Sequence, residues 1–289
     1  GAGFFYIPGT ETCLRFSGQF RFELGILAAG AGYTTFERFQ LNTDVRSETE
    51  WGTLRGYAEA RFDYGTAAGT TLAYLNQGFM ELITGSGTLR LGLSDSPYSR
   101  FLGYGAPMGP YTGQYAFRNT TELSYTFAGG NGFSAIIALV DNATNNTWAT
   151  DIEGGINFAQ GWGSIGAIAG YDSVTATWGI KGAARFNAPN SGISAGLLVM
   201  YASGAGAYAI NDPGATPVVA AGSHWSALGY VKGQFSPTLA AAVTAQWYSH
   251  SGGWAFGGGL DWTPVTNLQI RPEVRYLTTN TSWAAVIRV

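Results

Sequence analysis

Residues 14–24, LRFSGQFRFEL, alternate between apolar and polar side chains without a break. The apolar positions are Leu14, Phe16, Gly18, Phe20, Phe22 and Leu24, and the polar positions are Arg15, Ser17, Gln19, Arg21 and Glu23. Successive side chains of a β-strand point to opposite faces, so this period of two predicts a strand with one apolar and one charged face.

The same alternation recurs along the chain. It is found at 38–46, 54–63, 89–93, 118–127, 151–158, 178–186, 254–262 and 268–276. Short turn-forming connections lie at 47–52, 128–132, 159–163, 187–192, 236–238 and 263–267, and longer ones lie at roughly 26–33, 64–70, 94–117, 141–150 and 202–222. Short turns at one end and long loops at the other predict an all-β fold, an up-and-down antiparallel transmembrane barrel of about sixteen strands.

Composition favours a barrel in lipid over a soluble β-sandwich. Only 11% of the 289 residues are charged and just two, Lys181 and Lys232, are lysines, whereas soluble domains carry about 25% charged residues. Glycines, 43 in number, accompany aromatics on the apolar faces, which would leave voids in a protein core. A secreted β-sandwich or a carbohydrate-binding module is the alternative, and it would need a lysine- and glutamate-rich outer face.

Several other classes are disfavoured. A net charge of −3 gives no general basic field for nucleic acid. Cys13 is the single cysteine, and His224 and His250 are the only histidines, so we expect no internal disulfide, no metal site and no cofactor. Each histidine has a serine as its sequence neighbour, which a strand places on the opposite face, so we expect no catalytic dyad and place both histidines at strand ends facing water.

Five blocks of the sequence resemble one protein family. They are YIPGTETCLRFSGQFRFE (6–23), SETEWGTLR (47–55), SYTFAGGNGFSAIIAL (124–139), QGWGSIGAIAGYDSV (160–174) and LQIRPEVRY (268–276). Together they are similar to the porins of alphaproteobacteria, especially those of the rhizobial and Brucella type. The resemblance implies a homotrimeric, water-filled general-diffusion porin for ions and small hydrophilic solutes, surrounded by the lipid and lipopolysaccharide of a Gram-negative outer membrane.

Two features depart from that family. Its members usually have another cysteine shortly before the block that contains Cys13, which leaves open a disulfide with a residue outside this sequence. They also tend to end on an aromatic residue, whereas this sequence ends with Ile287, Arg288 and Val289. The sequence starts at Gly1 without a signal segment, as expected for a mature exported protein.

Residues 93–118 form the longest connection, and the resemblance implies that the third external loop folds into the lumen. We therefore predict one barrel domain over 1–289 with 93–118 as its constriction loop. Proline and glycine favour compact folding of this loop. The loop residues expected to matter are Asp95, Tyr98, Arg100, Tyr104, Tyr111 and Tyr115. An ordinary surface loop is the alternative for the segment, and a sugar-preferring channel is an alternative function for its tyrosines.

Strand parity predicts a charged wall facing this loop. The basic candidates are Arg15, Arg21, Arg38, Arg46, Arg55, Arg61, Arg271 and Arg275, and the acidic ones are Glu23, Asp44, Glu59, Asp63 and Glu273. Such charges would act on passing ions, or they would only pair with each other and stiffen the wall. The predicted function is a passive diffusion channel and no enzyme, with a substrate-specific carrier or a barrel enzyme as the alternatives.

Overall fold

The computed structural model describes residues 3–27, 32–65, 71–142 and 148–289. Within these ranges a short strand precedes sixteen longer ones. The strands are β1 (Phe5–Tyr6), β2 (Cys13–Leu27), β3 (Tyr33–Thr49), β4 (Gly52–Tyr64), β5 (Leu72–Ile83), β6 (Gly87–Asp95), β7 (Asn119–Gly130), β8 (Phe133–Val140), β9 (Asp151–Gln160), β10 (Gly163–Asp172), β11 (Thr177–Asn187), β12 (Ile193–Ala202), β13 (His224–Ser236), β14 (Leu239–Tyr248), β15 (Trp254–Val265), β16 (Leu268–Leu277) and β17 (Ser282–Arg288). One short helix, α1 (Pro97–Arg100), follows β6.

The strands close into a barrel. Each strand from β2 to β17 pairs antiparallel with the next one in sequence. β17 then pairs with β2, with Ala284 opposite Leu27 and Arg288 opposite Glu23. Closure gives each strand from β2 to β17 two neighbours and so limits the free sheet edges that lipid would not tolerate. The predicted sixteen-stranded antiparallel barrel is confirmed.

The outer surface of the barrel is apolar. On β2, β3 and β4 the rings of Phe20, Phe39 and Phe62 stack in a row, with centroids 4.9 and 5.9 Å apart. Phe20 is 84% exposed. These residues have the parity that the sequence assigned to the apolar face, and their exposure is explained by contact with lipid rather than water.

The connections follow the predicted alternation only in part. The predicted short turns are present, and Asn131, Asn190 and Asn267 adopt the left-handed conformation that asparagine tolerates in three of them. At the opposite end, however, the connections 173–176, 249–253 and 278–281 are also short. Residues 28–31, 66–70 and 143–147 of the predicted long loops lie outside the described ranges. No helix among the described residues has the length and apolar character needed to cross a membrane.

The inner surface differs between the two sides of the barrel. Along β8–β14 it includes apolar side chains that are almost fully buried: Ile136, Ile168, Leu198, Met200 and Leu228. On β2 the inner residues Ser17 and Gln19 are exposed instead. The inner face of β8–β14 is therefore partly apolar, because other parts of the chain pack against that wall.

Candidate functional site

Segment 96–118, which connects β6 to β7, is fastened at its two ends. The Ser96 amide donates to the Arg118 carbonyl at 2.9 Å, and the Arg118 amide donates to Ser99 Oγ at 2.7 Å. Asp95, the last residue of β6, accepts hydrogen bonds from the Tyr104 hydroxyl at 2.7 Å and from the side-chain amide of Asn119 at 3.0 Å. The predicted loop residue Asp95 thus serves at the base of the segment.

A buried lysine and a buried glutamate hold the first part of the segment. Lys181 on β11 donates from Nζ to the carbonyls of Tyr98 and Tyr115, at 2.6 and 2.5 Å. Glu153 on β9 accepts from the Tyr98 amide at 2.7 Å. Both charged residues are 0% exposed. Buried charges are costly unless hydrogen bonds satisfy them, so these contacts give the segment a defined position.

Further wall residues hold the rest of the segment. Gln246 on β14 accepts from the Gln114 amide at 2.7 Å and donates to its carbonyl at 2.8 Å. Glu273 on β16 accepts from the amides of Gly109 and Tyr111, the latter at 3.0 Å. All these wall side chains have inner-face parity, so the segment contacts the inner face from β9 round to β16.

The tyrosines of the segment remain neutral. Burial raises the pKa of Tyr115 to about 12. It also raises the pKa of Tyr98 and of Tyr104, and the Tyr104 hydroxyl is further held by its hydrogen bond to Asp95. Tyr98 is buried, so its ring packs against the wall rather than presenting a hydroxyl to solutes. Tyr111 lies differently, with the Arg275 guanidinium 4.9 Å from its ring centre.

A second connection, residues 203–222, packs onto the first. The Tyr208 hydroxyl donates to Glu153 at 3.1 Å and accepts from Arg118 at 2.9 Å. Its ring lies 4.9 Å from that of Tyr98. His224 is buried beneath this connection, where Nε2 lies 3.1 Å from the Ile210 amide, so the expectation that it faces water is wrong. Sequence reasoning did not foresee this second covering segment.

The predicted arginines of β2–β4 form ion pairs on the opposite wall. Asp44 is shared by Arg15, Arg46 and Arg55, at 3.5, 2.9 and 3.0 Å. Arg38 binds both carboxylate oxygens of Asp63, at 2.6 and 2.7 Å. A bidentate pair of this kind fixes the guanidinium plane as well as its position.

The remaining predicted charges are also placed. Arg61 pairs with Glu59 at 2.6 Å, and Arg21 lies 3.2 Å from Glu23. Arg271 pairs with Asp261 at 3.0 Å. The Nε of Arg100 donates to the backbone carbonyl of Asp95 at 2.9 Å, and its guanidinium pairs with Glu122 at 2.5 Å.

Other charged inner-face residues were missing from the sequence-based list. They are Glu81, Arg90, Glu122, Asp151, Glu153, Lys181, Arg185, Lys232, Asp261 and Arg288. Strand parity could have identified them, because they alternate with exposed apolar residues in the same way as the predicted ones. With them, all 15 lysines and arginines lie on the inner face or in segment 96–118. The inner face therefore carries the basic residues together with the acidic residues that pair with them.

Within the described ranges, no three His, Cys, Asp or Glu side chains are grouped closely enough to hold a metal ion. Cys13 is a free, half-buried thiol at the start of β2.

The sequence matches a known family along almost its whole length. Residues 1–288 match the family model described as the Porin subfamily. Porin Omp2b of Brucella abortus and of Brucella melitensis are each 36% identical over 213 residues. That alignment covers 63% of this chain and 57% of the relatives, so the chain matches less than two thirds of their length.

Solved structures share the fold at low sequence identity. An OmpF structure from Salmonella typhi, in complex with daunomycin, has a TM-score of 0.76 at 11% identity and covers 99% of this chain and 98% of its own. The outer-membrane channel DcaP of Acinetobacter baumannii has a TM-score of 0.70 at 13% identity, with 98% of each chain covered. A mutant of Rh. blastica porin has a TM-score of 0.67 at 13% identity and covers 95% and 98%.

Proposed function

Because this chain belongs to the porin family, we propose that it forms a water-filled general-diffusion channel for ions and small hydrophilic solutes. It is a protein of the Gram-negative outer membrane and crosses it by its strands. The family consists of channels, not enzymes. The observation that carries the proposal is a closed barrel with apolar residues outside and all of its lysines and arginines inside or in segment 96–118.

Segment 96–118 is the proposed constriction, folded into the lumen. Its hydrogen bonds to Glu153, Lys181 and Gln246 support this position, since all three are inner-face residues. It would leave a passage beside β2–β4, whose inner face includes the exposed residues Ser17 and Gln19. Ions passing there would meet the ion-paired arginines at close range, where screening by salt is weakest.

A channel with a preference for sugars is a weaker second candidate. A sugar preference would require the tyrosine rings of segment 96–118 to be open for stacking on sugar rings. Tyr98 is buried, and the Tyr104 hydroxyl already donates to Asp95. The Arg275 guanidinium lies over the ring of Tyr111. Of these three tyrosines only Tyr104, which is 43% exposed, keeps an open ring surface for a neutral sugar, so a general channel agrees better with these contacts.

We further propose a homotrimer surrounded by outer-membrane lipid and lipopolysaccharide. The support is an outward surface on β2–β4 that combines the stacked rings of Phe20, Phe39 and Phe62 with the small residues Ala58 and Ala60. Small residues allow close approach between membrane-embedded surfaces. A heat-resistant trimer in mild detergent is expected, and a folded, monodisperse monomer would contradict this part of the proposal.

Reconstitution into a planar lipid bilayer tests the channel function directly. The folded protein should insert in discrete steps of current, each step proportional to the applied voltage. A heat-denatured sample of the same preparation is the control and should give no steps. If folded protein with native β-sheet content produces no current steps, the proposed function is wrong.

A further inference from the structure

Three pairs of arginines lie directly opposite each other on neighbouring strands. They are Arg21 with Arg38, Arg46 with Arg55, and Arg271 with Arg288. Like charges in such positions destabilise a sheet unless something offsets their repulsion. For Arg46 and Arg55 this is Asp44, which both of them contact.

Carboxylates offset the repulsion less completely in the other two pairs, Arg21 with Arg38 and Arg271 with Arg288. Arg21 and Arg288 share one carboxylate, because both lie near Glu23 Oε1, at 3.2 and 2.6 Å. The buried Nε of Arg21 makes no hydrogen bond in the structure despite that proximity. Arg38 is paired with Asp63. Three guanidiniums therefore face two carboxylates, and at least one donor is left over.

The three guanidiniums are held near one another. The guanidinium carbons of Arg21 and Arg38 lie 4.9 and 5.1 Å from the centre of the Phe36 ring. Arg21, Arg38 and Arg288 also line one cavity of about 930 Å³, which extends through the wall to the outer-face rings of Phe20, Phe39 and Phe62. Stacking on the aromatic ring restricts the movement of both guanidiniums. The Nε and one terminal nitrogen of Arg38 are bound to Asp63, so its other terminal nitrogen is the one left for a ligand.

Segment 96–118 comes close to this cluster and brings no negative charge to it. A Cβ added at Gly109 would lie 3.2 Å from a terminal nitrogen of Arg288, so the tip of the segment abuts the cluster. Residues 101–117 contain neither aspartate nor glutamate. The wall residue Glu273 also lies at this tip, where its carboxylate accepts from the amides of Gly109 and Tyr111. An anion at the cluster would therefore meet arginines and one amide-bound carboxylate on the wall, and an uncharged segment opposite.

From this arrangement we propose that Arg21, Arg38 and Arg288 form a binding site for a dianionic phosphate group, either free phosphate or a phosphate monoester. The inference rests on the proposed channel function and extends it to a substrate class, small phosphorylated solutes. Guanidinium forks suit phosphate because they donate two parallel hydrogen bonds to its oxygens. A monoanion offers less charge to offset the repulsion between the arginines.

The test is the effect of inorganic phosphate on chloride current through the reconstituted protein at pH 8. We expect a parent channel that prefers anions and a chloride current that phosphate reduces in a saturable manner. Acetate, a monoanion, should give no saturable reduction at the same concentrations. A cation preference in the parent channel, or the absence of saturable block by phosphate, would overturn the inference.

Two variants and a control locate the site. In R21Q/R288Q the half-blocking phosphate concentration should rise at least about tenfold, as expected for the loss of charge-assisted hydrogen bonds. R21K/R288K keeps the charge without the fork, so anion preference should persist while phosphate block weakens. The control K232Q removes one inner-face charge outside the cluster and should change the half-blocking concentration less than about twofold.

The outcomes separate this inference from the proposed function. Normal current steps with no phosphate block would overturn the phosphate site and leave the channel function intact. The absence of any current steps would overturn the channel function itself. Equal weakening of block by K232Q and R21Q/R288Q would overturn the site, because it would assign the effect to the general field of the lumen.

Discussion

The two sides of the barrel lumen are built on different principles. Along β8–β14 the inner face is covered by segments 96–118 and 203–222, and apolar residues such as Met200 and Leu228 are buried there. Along β2–β4 the inner face carries paired arginines, and Arg15 and Arg46 keep 37% and 39% of their side chains exposed. One side resembles a protein core and the other a solvated surface.

This difference separates a wall that holds segment 96–118, the proposed constriction, from a wall that would line the proposed passage. The covered wall fixes the segment through buried groups such as Lys181 and Glu153, whose polar atoms would be costly to leave unpaired. On the open wall the carboxylates of Asp44 and Asp63 are buried, whereas the Arg15 and Arg46 side chains that pair with Asp44 stay partly exposed.

Deleting about ten residues around Met108 should produce the largest change, because it removes the cover from the lumen while leaving the strands intact. We expect single-channel conductance to rise about twofold, as a wider pore passes more ions. Circular dichroism is the control for retained β-sheet. A folded deletion variant with the parent conductance would contradict the distinction between a covered and an open wall.

Replacing Lys181 by methionine should loosen the cover without removing it. The Tyr98 and Tyr115 carbonyls would lose their donor, and each buried group left unsatisfied costs about 1–3 kcal/mol. We expect a lower unfolding temperature and larger current fluctuations in single-channel recordings. The matched control is K232M, whose lysine is 3.8 Å from Asp261 and more exposed. Equal effects of the two variants would show that Lys181 is not a specific anchor.

Neutralising Arg38 and Arg55 together should give a smaller, purely electrostatic change on the open wall. We expect the reversal potential in a salt gradient to shift towards cation preference, more strongly at low salt than at high salt. K232Q should shift it less. Identical reversal potentials for the double variant and the parent at every salt concentration would show that these arginines only support the wall through Asp63, Asp44 and Glu81.

The sequence predicted the open wall far better than the covered one. On β2–β4 a strict period of two, as in Arg15 to Glu23, assigned each side chain to the correct face, because water on one side and lipid on the other leave only that solution. On β8 the run from Ala135 to Val140 is apolar on both faces. That run indicates that both faces of β8 are shielded from water. It does not specify which part of the chain packs against the inner face.

The contacts that hold segment 96–118 in place join residues far apart in sequence. Lys181 and Tyr98 are separated by 83 positions, and Glu273 and Gly109 by 164. No local pattern predicts such pairs, since they depend on how the strands are arranged around the closed barrel. Similarly, the role of Arg288 depends on closure, which brings it beside Glu23 at the other end of the chain.

The most direct test of the constriction is chemical labelling of a single cysteine during current recording. In a C13S background, P110C places a thiol on segment 96–118, and V243C places one on the outward face of β14, where Val243 is 60% exposed. A positively charged, water-soluble thiol reagent should lower the current through P110C channels and leave V243C channels unchanged. Labelled P110C channels that carry undiminished current would contradict the claim that this segment narrows the pore.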